Sequence, residues 1–300
     1  MRVVVVGCGY VGLALAGQLG ERGHDVTGVR RSDAGLDAVE AVGPDVEPLR
    51  ADATDPESLS ALPDADAVVF AASSGGRGAD AAREVYVDGL ANVVDEYSSR
   101  AASPDRLVYT SSTGVYGDHD GGWVYEETPV DPTTEKTRVL AEAERIATER
   151  ASEAGIDGTV VRFAGLYGPE RHRLERYVEG PVTAGYLNMI HRDDAAGSIR
   201  HLLEANRARD RAVLVVDDEP VDKHAFADWL ADACGVPRPE KLSKDERIAA
   251  GDLSAAAERR IRTSKRCSNA LLRELGYEFV HPTFRSGYRD AVRAYRARAE

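Results

Sequence analysis

A chain of 300 residues with 43% hydrophobic and 30% charged side chains has a globular balance and is long enough for one large core plus a smaller lobe, which excludes a disordered chain. Its 38 basic and 51 acidic residues leave a formal charge of −13, and such a surface repels phosphate backbones and argues against non-specific nucleic-acid binding. Cys8, Cys234 and Cys267 form no CxxC pair, which argues against a disulfide framework and a cysteine zinc site.

Arg2 followed by apolar residues to Leu19 has the superficial look of a secretory leader. Gly7, Gly9, Gly12 and Gly17 break that run, so residues 3–6 are read as a buried strand and residues 10–22 as a helix. Between them stands Gly7-Cys8-Gly9-Tyr10-Val11-Gly12. A strand running straight into G-x-G-x-x-G and a helix is the arrangement that holds a dinucleotide. Gly7 permits the tight turn, Gly9 lets the backbone approach a pyrophosphate, and Gly12 allows close helix–strand packing. The helix N-terminus offers its free N–H groups to the anion. Cys8 is a small apolar filler inside this loop.

The second predicted strand, residues 25–29, ends in Arg30, Arg31 and Ser32. A carboxylate there would hold the ribose 2′-OH of NAD; two guanidiniums and a hydroxyl suit a 2′-phosphate, so NADP(H) is expected, with NAD(H) the alternative. After the third strand, residues 46–49, Asp52 could accept from an adenine amino group or cap the helix beginning near Asp55 and Pro56. The fourth strand, residues 67–71, leads into the small residues Ala71, Ala72 and Ser73, which leave room for a dinucleotide at the sheet edge. Helical spacing follows at residues 80–100 and 134–154, and further strands are predicted at 106–110, 159–163 and 212–216.

These β-branched runs are apolar on both sides, which suits a parallel sheet covered on both faces. Alternating strands and helices predict an α/β, doubly wound Rossmann fold. The expected dinucleotide-binding domain covers residues 1–165, with a return segment near 190–217. Residues 166–189 and 218–300 are expected to form a smaller, mostly helical lobe over the carboxyl ends of the strands. No run approaches ~18 uninterrupted apolar residues, so a soluble cytoplasmic protein is expected, without membrane or nucleic-acid partners; a homodimer is compatible with this reading. Lys occurs only at positions 136, 223, 241, 244 and 265. An acid-rich, Lys-poor chain fits a salt-loaded, halophile-like cytoplasm; a GC-rich genome also favours such a composition.

Residues 107–118, LVYTSSTGVYGD, carry a Ser/Thr-rich turn before Val115-Tyr116-Gly117. Here the chain resembles the extended short-chain dehydrogenase/reductase superfamily, the NAD(P)-dependent epimerases and dehydratases. The resemblance continues at Arg162, Gly165, Tyr167, Gly168 and Pro169, at Ile190, His191, Asp193 and Asp194, and in the Leu-Gly-Tyr stretch near the end, so it spans nearly the whole chain. It implies an NAD(P) cofactor, a small and possibly nucleotide-linked sugar-like substrate, and Ser112 as the hydroxyl that holds the reacting carbonyl or alcohol.

The family's catalytic pair is Tyr-x-x-x-Lys, with a Glu four residues after the Lys. Taking Glu142 as that Glu places Arg138 at the Lys position and Thr134 at the Tyr position. A Thr hydroxyl is too weak an acid for the phenol's work, whereas Arg138 could still hold a ribose or phosphate. The chain therefore resembles atypical members that lack the pair. Tyr116, Tyr167 and His191 are read as packing or turn residues, and His119 and Tyr125 as loop residues. Arg171 and Arg173 could clamp a substrate phosphate or be exposed surface arginines. No spacing suggests a metal site. Two readings stand: an oxidoreductase or epimerase of atypical type, and a non-catalytic NADP(H)-binding sensor or scaffold.

Overall fold

The computed structural model describes residues 1–75, 78–251 and 253–299. Seven strands lie parallel in one sheet: β1 (Arg2–Val6), β2 (Asp25–Arg30), β3 (Val46–Arg50), β4 (Ala67–Phe70), β5 (Arg106–Ser112), β6 (Asp157–Phe163) and β7 (Arg211–Val215). Their order is β7-β6-β5-β4-β1-β2-β3. The α/β doubly wound sheet expected from sequence is present, and each predicted strand is found within two residues of its expected ends. Val3 to Val6 and Ala67 to Phe70 are buried without interruption, because central parallel strands are covered on both faces.

From β1 the chain winds outward to β3 and then crosses to β4 on the other side of β1. This reversal opens a crevice at the carboxyl ends of β1 and β4, the place where open α/β sheets bind ligands. On the faces lie α1 (Tyr10–Gly20), α2 (Asp33–Glu40) and α3 (Pro56–Leu59). Then α4 (Ala79–Arg83) passes through a π-helical turn (Glu84–Asp88) into α5 (Gly89–Ser98). Similarly, α6 (Glu135–Arg145) passes through Ile146–Arg150 into α7 (Ala151–Glu153). Apolar spacing located both helical stretches but not their π turns.

Later come α8 (Glu175–Val178), α9 (Arg192–Glu204) and α10 (Lys223–Cys234). The start of α9 is set by His191, whose side chain accepts from the Asp193 N–H, and by Asp193 and Asp194 in the first turn; acidic residues are favoured there by the helix dipole. Helix α1 packs against α9 and buries Leu15, Ala16 and Leu19 completely. Truncating either leucine to Ala would cost about 2–5 kcal/mol.

A second apolar cluster lies outside the sheet. Phe226 on α10 stands edge-on to Tyr177, Phe284 and Tyr288, with ring centroids 4.9, 5.1 and 5.3 Å away, among Leu174, Met189 and Leu230. The C-terminal residues Cys267, Leu272 and Tyr277 instead join the core of the main sheet.

Candidate functional site

A cleft of about 730 Å³ runs across the carboxyl ends of the central strands. Gly7, Gly9, Tyr10 and Val11 line it at the end of β1. Gly7 has φ +83°, and a Cβ there would stand 2.2 Å from the Ala72 Cα; only glycine allows this turn beside β4. Gly9 caps α1 with no side-chain hydrogen bond, so the first N–H groups of α1 remain available to an anion. Cys8 and Gly12 lie beneath the loop. Cys8 is fully buried, which pushes its thiol up to about 12 and keeps it protonated at neutral pH. Gly12 packs on the Gly7 carbonyl and the Val5 side chain.

At the end of β2, Arg30, Arg31 and Ser32 all line the cleft. Arg30 Nη1 donates to the Cys8 carbonyl at 3.2 Å, which lays its guanidinium beside the glycine loop. Arg31 points outward and reaches Asp52 at 3.4 Å. The Ser32 hydroxyl accepts from the Gly35 N–H and caps α2. Asp52 also lines the cleft but does not cap α3, because Asp55 does that. Burial works against the charge of Asp52, yet donors from Thr54 and the nearby Arg31 hold its carboxyl below the usual range. Ala71, Ala72 and Ser73 form the opposite wall with Tyr86. Small side chains and an open helix terminus together fit a dinucleotide.

At the end of β5, Ser112 lines the cleft. Its Oγ accepts from the Gly114 N–H at 3.1 Å, leaving the hydroxyl hydrogen free to be donated. The neighbouring Ser111 donates to Glu144 Oε1 at 2.6 Å. Glu144 also receives Arg162 Nε at 3.0 Å and Nη2 at 2.7 Å, while Arg162 Nη1 donates to the Tyr116 hydroxyl at 2.6 Å. Burial would lower the Arg162 guanidinium, but Glu144 holds it above its ordinary value. Burial pushes the Tyr116 phenol up to about 12 despite Arg162. Tyr116 therefore packs and pins Arg162.

The expected placement of α6 needs correction. Glu142 is not the buried carboxylate of this helix; it pairs with Arg83 at the surface, and Glu144 points inward instead. Arg138 is exposed and does not line the cleft. It lies two residues from Lys136, about 200° around the helix at 3.6 residues per turn. Lys136 and Leu140 are the residues of α6 that line the cleft. The Thr134 hydroxyl is occupied in a capping box with Thr137.

Among the other candidates, Tyr167 is buried against Tyr288, and His119 holds the Tyr116 carbonyl at 2.9 Å. Tyr125 is exposed. Arg171 lines the cleft and lies over the Tyr10 ring at 4.1 Å. Sequence spacing missed Tyr86, Lys136 and Leu140, and it missed the convergence of His191, Asp193 and His281, whose ligand atoms lie within 4.8 Å of one another. Asp193 and His281 are far apart in the chain, so spacing carries no signal for that cluster. As it stands, His191 Nδ1 accepts the Asp193 N–H and Arg192 pairs with Asp193.

Residues 7–206 match a family model described as NAD(P)H-binding. Protein YeeZ of Escherichia coli (strain K12) is 31% identical over 286 residues, spanning 94% of this chain and 96% of the relative. A candidate NAD-dependent epimerase/dehydratase from Methylobacillus flagellatus is 29% identical and superposes with a TM-score of 0.73, covering 100% of this chain and 99% of that one. A human epimerase family protein solved with NADPH shares the fold at 20% identity, with a TM-score of 0.75 over 98% of this chain and 99% of that one.

Proposed function

The chain belongs to the NAD(P)H-binding family, among the extended short-chain dehydrogenases/reductases of epimerase/dehydratase type, and on that premise we propose that it binds NADP(H) in preference to NAD(H) and acts on a small carbonyl or sugar-like substrate. The single observation that carries this reading is the pairing of an open glycine loop with Arg30 and Arg31 in one cleft. The N-terminus of α1 would take the pyrophosphate, the two arginines the 2′-phosphate, and the wall of Ala71, Ala72 and Ser73 would admit the rest of the dinucleotide. When bound, the nicotinamide supplies or accepts a hydride. Ser112 donates its hydroxyl hydrogen to the substrate oxygen and orients it. From the segment after β6, Leu166 and Arg171 reach the cleft lining.

A second reading is a non-catalytic NADP(H) sensor, and it is favoured by one observation: no tyrosine of α6 lines the cleft. Titration with NADPH and NADH, followed by a turnover screen on carbonyl compounds and nucleotide sugars, separates the two. Tighter NADPH binding with turnover supports the enzyme. Tight NADPH binding without turnover on any panel member moves the assignment to the sensor. Equal affinity for both nucleotides overturns the 2′-phosphate reading.

A further inference from the structure

Glu144 fixes the register of α6. It is the carboxylate buried against Arg162 and Ser111, and counting back from it by the family's Tyr-x-x-x-Lys spacing puts Leu140 at the lysine position and Lys136 at the tyrosine position. Those two residues line the cleft, as i and i+4 on one helix face must do together. The slot of a phenol thus holds a lysine, and the slot of the lysine holds a leucine.

The surrounding wall has an unusual charge balance. It is built from the ends of β5 and β6, the first turns of α6 and the segment after β6. Among the described residues, Lys136 and Arg171 are its charged members and no carboxylate lines it; Asp52, the acidic residue in the cleft lining, stands beside Arg31. Neither the Lys136 ammonium nor the Arg171 guanidinium has an ion-pair partner among the described residues, and Arg171 is held over Tyr10 by its face alone. Both residues are solvent-exposed at the cleft lining, and a cation there, on a chain with a net charge of −13, attracts an anion against the field of the rest of the surface.

We infer that this wall of the cleft binds an anionic group of the substrate, a carboxylate or a phosphate, with Lys136 as the specificity-determining cation. The inference rests on the nucleotide reading above, since it assigns the space beside the bound dinucleotide. A carbonyl compound carrying such an anion is then preferred over a neutral one of the same size.

The test is made on the full chain saturated with NADPH, so that Arg30 and Arg31 are already occupied. Inorganic phosphate and malonate are titrated separately at constant ionic strength, read as heat and as change in nicotinamide fluorescence. At least one should bind, and the tighter one identifies the anion. Lys136→Met should weaken that binding by about ten- to a hundredfold, the worth of a hydrogen bond to a charged group. Lys136→Arg should retain most of it, and Lys241→Met, at an exposed position, should change nothing. NADPH affinity should stay near wild type in all three variants. Failure of both anions to bind, or wild-type anion affinity in Lys136→Met, overturns the inference while leaving the nucleotide reading intact. Failure of the wild-type chain to bind NADPH overturns the nucleotide reading, and the inference falls with it.

Discussion

Arg162 on β6 and Glu144 on α6 meet at 2.7 Å, with each side chain only 9% exposed, and this contact decides which face of α6 the cleft receives. A buried ion pair is costly to break from one side, because the remaining charge is stranded in a low-dielectric interior. Glu144→Ala should therefore lower stability by about 3–5 kcal/mol, measured by urea unfolding. Glu144→Leu combined with Arg162→Met should recover much of that loss. A single variant as stable as the wild type would mean that the pair does not organise the helix.

Arg30→Ala with Arg31→Ala should abolish the preference for NADPH over NADH. Loss of charge-assisted bonds to the 2′-phosphate predicts a drop in NADPH affinity of about ten- to a hundredfold, with NADH affinity nearly unchanged. Fluorescence titration of both nucleotides checks this. An equal fall for both would place the arginines against the shared part of the dinucleotide.

Local sequence carried most of this cleft. The glycine loop, Arg30 and Arg31, the small residues after β4 and Ser112 each follow a strand end within a few positions, so recognising the strand placed the residue. Most of the seven strands were legible as buried runs rich in β-branched residues, whereas β3, buried only at Val46, was legible through the alternation of strands with helices. By contrast, pairs such as Tyr186–Leu187 with Val221–Asp222 are too short for any period to show. The register of α6 was not legible: Glu142 and Glu144 both satisfy helical spacing, and only Arg162, 18 residues further on, selects between them. That two-residue slip is why Arg138 was expected in the cleft where Lys136 stands. Tyr86 and His281 were missed for the same reason, since long-range packing brings each to its neighbours.

Stability should fall in mild acid because of His191. Burial, then the proximity of His281, lowers its imidazole from 6.5 to about 4, with His172 and Arg192 adding to the effect and Asp193 opposing it. Below pH 6.5 the unfolded chain takes up a proton that the native state refuses. The contribution is therefore complete above about pH 6.5 and is lost as pH falls toward 4, by up to about 3 kcal/mol. His191→Asn keeps a good helix cap and should flatten this part of the pH–stability curve. An unchanged slope in that variant would assign the acid sensitivity to other groups.

Added salt should raise stability if the acid excess reflects a salt-loaded cell. Fifty-one carboxylates against 38 cations repel one another, and molar KCl shortens the range of that repulsion to about 3 Å. Thermal melts across a KCl series would show the trend. A melting temperature that is flat or falls with salt would favour base composition of the genome as the origin of the Lys-poor sequence.

Two hydroxyls at neighbouring element ends should separate cleanly in their effects. The Thr134 hydroxyl is bound within its own capping box, at 3.1 Å from the Thr137 N–H, whereas Ser112 keeps its O–H hydrogen available at the cleft. Thr134→Val should cost about 1 kcal/mol of stability as a lost cap and leave nucleotide binding and any turnover unchanged. Ser112→Ala should leave NADPH affinity intact and lower turnover, because a misoriented substrate oxygen forfeits the positioning that brings it to the reacting carbon. Both variants are read by the same NADPH titration and the same substrate assay. A large loss of turnover in Thr134→Val, with its fold intact by circular dichroism, would show that the start of α6 acts through a hydroxyl and would contradict the register set by Glu144.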